Sequence, residues 1–162
     1  MSPQAFADEN QEIAERVFTD LLDGHDLDLV SELYAEDCVF YGMSGPEAID
    51  RDEYEAFLAM YFEAFPDLSF EIEEMISDDG RVSVRWTSRG THENDLMDVP
   101  ATGKSATVTG MSFVHVEDGR IVETYNNHDR LGLLEQLGAI PDSPRKVVRM
   151  MLGQLKGRLT DR

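Results

Sequence analysis

Apolar residues recur every three to four positions, as on one face of a helix, over the N-terminal part of the chain. Pro3 stands just inside the start of the first periodic segment and Gly24 just past its end, which predicts an amphipathic helix over 3–23. A shorter segment with the same period predicts a second helix over 27–34. A brief strand is predicted at 38–41.

A third helix is predicted between Asp50 and Pro66. Asp50 followed by Glu53 resembles a capping box, and Pro66 cannot continue a helix. The apolar face of this helix is unusually aromatic and consists of Tyr54, Phe57, Leu58, Tyr61, Phe62 and Phe65.

After Pro66 the hydrophobic period changes to the two-residue alternation of strands. Turn signals at 78–80 and 117–119, and a loop that contains Pro100 and Gly103, divide this region. The predicted strands are a segment from Phe70, a strand from Val82 to His92, a strand over 105–116 and a last strand over 120–129, followed by a short helix over 131–137. Helices first and antiparallel strands second predict an α+β fold in which a curved sheet wraps over the helices. A cone-like pocket between the two layers is the expected ligand site.

The strongly acidic composition of the chain bears on its partners. Thirty-three acidic residues against fourteen basic ones give a formal net charge of -19, which repels nucleic acid phosphates and anionic membranes. We therefore expect neither a nucleic acid nor a membrane partner. Because the surface is acid-rich and the chain has few lysines, we hypothesise a protein adapted to high salt.

The basic residues are concentrated at the C-terminal end. Segment 143–162 holds six basic residues and one acidic residue, so it is predicted to lie against acidic surface or to form a solvated helix. The expected organisation is a pocket domain over 1–142 and a basic helical extension over 143–162.

Length and cysteine content fit one intracellular domain. The chain has 162 residues and a single cysteine, Cys38, in an apolar run, which is typical of a buried small side chain rather than a nucleophile. No segment resembles a membrane span or a signal peptide, so a soluble cytoplasmic protein is expected.

Several short motifs occur in a characteristic order between about residues 10 and 139. They are Phe65-Pro66-Asp67, Arg85-Trp86, Gly90-Thr91-His92, Pro100-Ala101-Thr102-Gly103, Glu117-Asp118-Gly119-Arg120-Ile121-Val122-Glu123, and Asp129 followed by Leu131-Gly132-Leu133-Leu134 and Gln136-Leu137-Gly138. Together these motifs resemble the SnoaL-like polyketide cyclases of the nuclear transport factor two-like superfamily. The resemblance implies a cone-shaped, cystatin-like α+β barrel that forms a homodimer or a higher homo-oligomer and uses no metal or organic cofactor. It also implies an intramolecular aldol ring closure on a hydrophobic carbonyl compound.

The chain departs from the family pattern at two places. Thr124-Tyr125 stand where the family often has His-Trp, and Glu93-Asn94-Asp95 stand where relatives often have a glycine-containing loop. Both departures change the expected pocket lining.

Asp129 is the best candidate for the acid/base residue. Ring closure removes a proton from a carbon between carbonyl groups and returns one to the new alkoxide, which a single carboxyl group can do. An apolar pocket would raise the pKa of this carboxyl group and make it a stronger base. From the local sequence alone, Asp129 is better explained as the N-cap of the following helix; the resemblance favours the catalytic role, and both could hold.

His115 is the second catalytic candidate. A three-residue hairpin loop over 117–119 would place Val116 opposite Arg120 and His115 opposite Ile121. That register puts His115, Met111, Phe113, Tyr125, Asn127 and Asp129 on one face, here expected to be the pocket face. A two-residue loop would move His115 to the opposite face, and a solvent-facing histidine is the alternative. The resemblance also implies a histidine partner at this position.

Three further residues are candidates for substrate binding. His92 and Trp86 share the alternation of the strand that follows residue 80, and Tyr41 could add an aromatic wall. His92 in its Gly-Thr-His context could equally have a structural role in the loop. Its acidic neighbours fit no strong zinc or calcium pattern, so no metal site is expected.

Two other functions remain as alternatives to a cyclase or isomerase. A non-catalytic pocket would bind the same class of ligand without chemistry. An epoxide hydrolase of the same superfamily would need an Asp-Arg-Asp set, and the sequence offers no convincing one. Phosphate-binding glycine loops, nucleophile elbows and dinucleotide fingerprints are absent from the sequence.

Overall fold

Helices and strands follow one another in the predicted order. The computed structural model describes residues 3–43 and 45–140, so the predicted extension 143–162 lies outside the described residues. The elements are helix α1 (Pro3–Arg16), a π-helical segment (Val17–Asp23), α2 (Leu29–Leu33), β1 (Tyr34–Tyr41), α3 (Arg51–Ala64), β2 (Ser69–Asp78), β3 (Arg81–Thr91), β4 (Ser105–Glu117), β5 (Arg120–His128) and α4 (Arg130–Leu137).

The strands form one five-stranded sheet in the order β1-β5-β4-β3-β2. Strand β1 runs parallel to β5, and the other neighbours are antiparallel. In β4 the even-numbered residues from Ala106 to Val116 are turned to the helices, and the odd-numbered ones face outward. The sheet therefore has an inner face that builds the core and an outer, solvent-facing one, and the predicted α+β class is confirmed.

The predicted capping box starts helix α3. The Asp50 carboxylate accepts a hydrogen bond of 2.9 Å from the Glu53 backbone N–H, and the Glu53 carboxylate accepts one of 3.0 Å from the Asp50 N–H. This pairing fixes the start of the helix whose aromatic face closes the pocket.

The predicted hairpin register between β4 and β5 is wrong. Glu117 pairs with Arg120, so the turn consists of two residues, Asp118 and Gly119, with φ values of 48° and 78°. Two consecutive residues with positive φ form a tight hairpin turn. The twist of this turn matches that of the flanking strands, which favours it over a three-residue loop.

A bulge at Val122 then changes the pairing once more. Val116 lies opposite Ile121, and the next pair is His115 with Glu123. As a result Phe113 pairs with Tyr125 and Met111 with Asn127. The extra residue moves the inward-facing positions of β5 from Ile121 to Thr124 and its even-numbered successors.

Candidate active site

An apolar cavity of about 110 Å³ lies between the inner face of the sheet and helix α3. Its walls are formed by side chains from the π-helical segment, α3, α4 and strands β2 to β5. The lining residues are Phe18, Leu22, Met43, Tyr54, Phe57, Leu58, Tyr61, Phe62, Phe65, Leu68, Phe70, Trp86, Ser88, Gly90, Ala106, Val108, Asn126, His128 and Leu133. None of these described lining residues carries a carboxylate.

Two cavity-lining side chains, those of Trp86 and Asn126, belong to one hydrogen-bonded chain. Trp86 Nε1 donates to Ser112 Oγ at 3.0 Å, and Ser112 Oγ donates to Asn126 Oδ1 at 2.7 Å. Asn126 Nδ2 donates to Thr124 Oγ1 at 3.0 Å and to the Tyr41 carbonyl oxygen at 3.4 Å. The amide orientation of Asn126 is fixed by these bonds because donor and acceptor ends have different partners.

His128 is the imidazole of the cavity wall. Its ring lies 6.5 Å from the Trp86 ring, centre to centre. Burial lowers the pKa of His128, the Arg130 guanidinium lowers it further, and the neighbouring Asp129 carboxylate partly opposes the shift. The ring is therefore neutral at neutral pH and can accept a proton.

Two tyrosines complete the titratable groups of the cavity wall. Burial raises the pKa of Tyr54 to about 12, and it also raises the pKa of Tyr61. Tyr54 and Tyr34 place their hydroxyl oxygens 3.4 Å apart. Both lining hydroxyl groups thus stay protonated, and they can donate hydrogen bonds but not act as bases near neutral pH.

Asp129 lies outside the cavity lining. Its carboxylate accepts a hydrogen bond of 2.8 Å from the Gly132 backbone N–H and caps helix α4, and the residue is exposed. The predicted cap is present, whereas the expected position of Asp129 on the pocket face is wrong. The bulge in β5 is the physical reason, because it turns Asn126 and His128 inward instead of their odd-numbered neighbours.

The other catalytic candidate, His115, lies on the outer face of the sheet. It shares that face with Met111, Phe113, Tyr125 and Asn127, so the predicted grouping exists but not in the pocket. The two-residue turn puts the odd-numbered residues of β4 on this face, and the bulge at Val122 puts Tyr125 and Asn127 there with them.

The three remaining candidates are divided between different environments. Trp86 lines the cavity. Tyr41 stacks on Tyr125 at a centroid distance of 4.7 Å, next to the outer-face set. His92 is fully buried beside Phe65 but is not part of the cavity lining.

The comparisons with known proteins agree with this architecture. The sequence profile of the SnoaL-like polyketide cyclases matches residues 12–137. The chain belongs to the SnoaL-like polyketide cyclase family. Among curated proteins, none matches the sequence.

Solved structures of SnoaL-like proteins share the fold of this family member. AclR from Streptomyces galilaeus, a candidate hydroxylase, is 25% identical with a TM-score of 0.77 and 96% coverage of both chains. IdmH from Streptomyces antibioticus, a candidate polyketide cyclase, is 28% identical with a TM-score of 0.71, covering 80% of this chain and 98% of its own. A candidate cyclase from Jannaschia sp. CCS1 is 24% identical with a TM-score of 0.77, over 87% and 98% of the two chains, and shows the fold alone.

In this SnoaL-like chain, His92 ties together the two ends of the loop between β3 and β4. Its backbone N–H donates to the Lys104 carbonyl oxygen at 2.9 Å, and its carbonyl oxygen accepts from the Gly103 N–H at 2.8 Å. Its ring Nδ1 accepts from the Thr102 N–H at 3.3 Å. These contacts support the structural alternative for His92.

Neither a metal cluster nor a reactive thiol is found in the described part of this family member. Among residues 3–43 and 45–140, no three His, Cys, Asp or Glu side chains meet in a way that could hold a metal ion. Burial raises the pKa of the Cys38 thiol to about 12. None of the described helices is both long and apolar enough to cross a membrane.

Sequence reasoning missed Asn126, His128 and Ser88 as cavity residues. One signal in the sequence could have found them. Asp129 is a typical N-cap, and a carboxylate that caps the helix does not line the cavity, so the residues before it are the better candidates. The bulge that selects which of them do so has no comparable sequence signal.

Proposed function

We propose that this protein is a cyclase- or isomerase-type enzyme that acts on a compact, hydrophobic carbonyl compound. The observation that carries the proposal is His128, a neutral imidazole on the wall of an otherwise apolar cavity. Family membership and the likeness to IdmH, a candidate polyketide cyclase, support the reaction class.

The size and lining of the cavity favour a small, flat ligand. A cavity of about 110 Å³ is on the scale of the roughly 150 Å³ engineered cavity that holds benzene. Aromatic side chains such as Phe57, Tyr61 and Phe65 present flat apolar surface to it. We therefore expect a substrate whose buried part is about one ring in size.

The proposed reaction needs no external reactant. The neutral His128 ring accepts a proton from the carbon between two carbonyl groups of the substrate, which leaves an enolate. The enolate carbon forms a new bond to a second carbonyl carbon, whose oxygen takes the electron pair of the broken π bond as an alkoxide. The His128 imidazolium returns its proton to that alkoxide, so the product is an isomer of the substrate.

The hydrogen-bonded chain from Trp86 would position the substrate for this step. Ser112 and Asn126 are held in one orientation by their mutual hydrogen bond. The hydroxyl groups of Tyr54 and Tyr61 offer donors to an enolate or alkoxide oxygen in a site of low polarity.

The test is turnover of a library of compact dicarbonyl compounds by three forms of the full chain. His128→Gln should lower kcat/KM by a factor on the order of a hundred or more. Asp129→Asn, which retains a good N-cap, should leave kcat within a few-fold of the wild-type value. A large loss in Asp129→Asn with activity retained in His128→Gln would instead identify the aspartate as the acid/base residue.

A non-catalytic binding pocket is the second candidate, and one observation favours it. The described cavity wall has no carboxylate, the group that the resemblance implies for ring closure. Trp86 is the chain's only tryptophan and lines the cavity, so its fluorescence reports ligand binding directly. Ligand-induced quenching that is equal in wild type and His128→Gln, with no turnover in either, would favour this candidate.

A further inference from the structure

The imidazole ring of His92 has one nitrogen that is hydrogen-bonded and one that is not. Nδ1 accepts from the Thr102 backbone N–H at 3.3 Å, and the Thr102 hydroxyl lies 3.1 Å from the same nitrogen. A neutral imidazole that accepts at Nδ1 carries its hydrogen on Nε2. Among the described residues, Nε2 has no hydrogen-bond partner, although the side chain is fully buried. Because burial of an unpaired N–H costs free energy, an acceptor from outside the chain would stabilise this position.

Phe65 borders both the cavity and the His92 ring. Its side chain lines the cavity, and its ring centre lies 5.1 Å from that of His92. Gly90, two residues before His92, also lines the cavity, and a Cβ atom there would come within 3.2 Å of Phe65 Cβ. The phenylalanine thus packs closely against the strand that leads to the histidine. Because a packed side chain turns only where it has free volume, the cavity beside the Phe65 ring gives that ring room to change its rotamer.

His92 lies at a distance from His128 along the sheet. His128 pairs with Gly110, and Gly110 pairs with Trp86, so these three residues form one row across the strands. His92 follows Trp86 by six residues of extended chain, which corresponds to about 20 Å. A ligand of one ring beside His128 therefore does not extend to His92. A longer ligand that displaces the Phe65 ring does.

We propose that Phe65 is a movable wall of the cavity and that His92 Nε2 donates a hydrogen bond to a carbonyl oxygen at the far end of an elongated ligand. The ligand class is a flat, apolar molecule with a neutral oxygen acceptor. A carboxylate is disfavoured, since Glu93, Asp95 and Asp98 follow His92 in the chain and would repel it. The inference rests on the proposed function in one respect, that the cavity is the ligand site, and it requires no turnover.

The first experiment measures the Kd values of two ligands of similar shape by quenching of the Trp86 fluorescence. The ligands are 4-acetylbiphenyl and 4-isopropenylbiphenyl, in which a methylene group replaces the carbonyl oxygen. His92→Asn should reduce the preference for the ketone by about tenfold, because it removes the Nε2–H. Its side-chain oxygen still accepts from the Thr102 N–H, so the loop contact is retained. His92→Gln is the rescue variant, because its amide nitrogen reaches toward the Nε2 position, and it should retain the preference.

The second experiment tests the movable wall with the full chain. Phe65→Leu should tighten the binding of 4-acetylbiphenyl several-fold and leave that of acetophenone, a ketone of one ring, nearly unchanged. Phe57→Leu is the matched control, because Phe57 also lines the cavity and lies eight residues before Phe65 in the chain. Circular dichroism and urea unfolding verify that each variant is folded.

NMR of the nitrogen-labelled imidazole ring determines the tautomer of His92 without a ligand, and the hydrogen should be found on Nε2. A hydrogen on Nδ1, or a preference for the ketone that is the same in wild type and His92→Asn, would overturn the proposal. Binding of acetophenone without binding of 4-acetylbiphenyl, in wild type and Phe65→Leu alike, would overturn this inference alone. If none of the compounds binds, the cavity is not the ligand site, and the proposed function fails together with this inference.

Discussion

The indole ring of Trp86 lies over the backbone of Gly110, its direct partner on the neighbouring strand. A Cβ atom at position 110 would come within 2.3 Å of Trp86 Cζ2. The missing side chain thus leaves the space in which the tryptophan ring lies flat against the sheet and forms a wall of the cavity.

Gly110→Ala should therefore displace the tryptophan and destabilise the fold by about 1–3 kcal/mol. The measurement is urea unfolding, together with a shift of the tryptophan emission in the folded state. Gly45→Ala is the control, because nothing lies within 4 Å of a Cβ atom at that position. Equal stability of the two variants would show that the indole does not depend on this glycine.

The pKa of His128 should lie below 6.5 and respond to its charged neighbours. Arg130→Gln removes a cause that lowers the pKa, so the value should rise. Asp129→Asn removes the opposing carboxylate, so the value should fall. NMR titration of the His128 ring protons measures both shifts without a substrate, and the acid limb of kcat/KM should move with them.

Acid should destabilise the folded chain through the buried His92 and the half-buried His128. Burial lowers the pKa values of both His92 and His128 below that of an exposed histidine. The unfolded state therefore binds protons more readily, so the free energy of unfolding should fall as the pH drops below about 6.5. Urea unfolding at a series of pH values should show a smaller slope in His128→Gln, and an unchanged slope would argue against a depressed pKa.

The capping role of Asp129 has its own consequence for stability. Asp129→Ala leaves the Gly132 N–H without its acceptor and should cost about 1 kcal/mol, whereas Asp129→Asn should cost less. Thermal unfolding of both variants compares these costs. A larger loss in Asp129→Asn than in Asp129→Ala would contradict a capping role.

The high negative charge should make stability depend on salt. Screening reduces repulsion among acidic residues, so the free energy of unfolding should rise with sodium chloride concentration. A stability maximum in low salt would contradict the hypothesis of a protein adapted to high salt.

Local signals in the sequence were sufficient to predict the order of elements. The capping box at Asp50, the stop at Pro66 and the glycine that ends α4 each act within a few residues, and all three are present. A pocket between the helices and the sheet was expected from the α+β architecture, and the cavity lies between helix α3 and the sheet.

The assignment of residues to the two faces of the sheet could not be predicted to the same degree. A one-residue shift in strand pairing moves every following side chain to the other face of the sheet. Two features produce such shifts here: the two-residue turn at Asp118-Gly119 and the bulge at Val122. Both a two-residue turn at Asp118-Gly119 and a three-residue loop over 117–119 fit the local sequence, and the chain forms the two-residue turn, with positive φ at both residues. The turn decides that His115 faces outward, and the bulge decides that His128 faces the cavity.

The buried thiol of Cys38 can also be used to measure local opening at strand β1, which lies at one edge of the sheet. Strand β1 is an outer strand of the sheet, and the pKa of about 12 keeps the sulfur protonated and slow to react while the strand is in place. Alkylation of the single cysteine thus requires an opening of the structure around β1 that exposes the buried thiol. The alkylation rate, compared with the rate of global unfolding, shows whether the region around β1 opens locally or only when the whole chain unfolds.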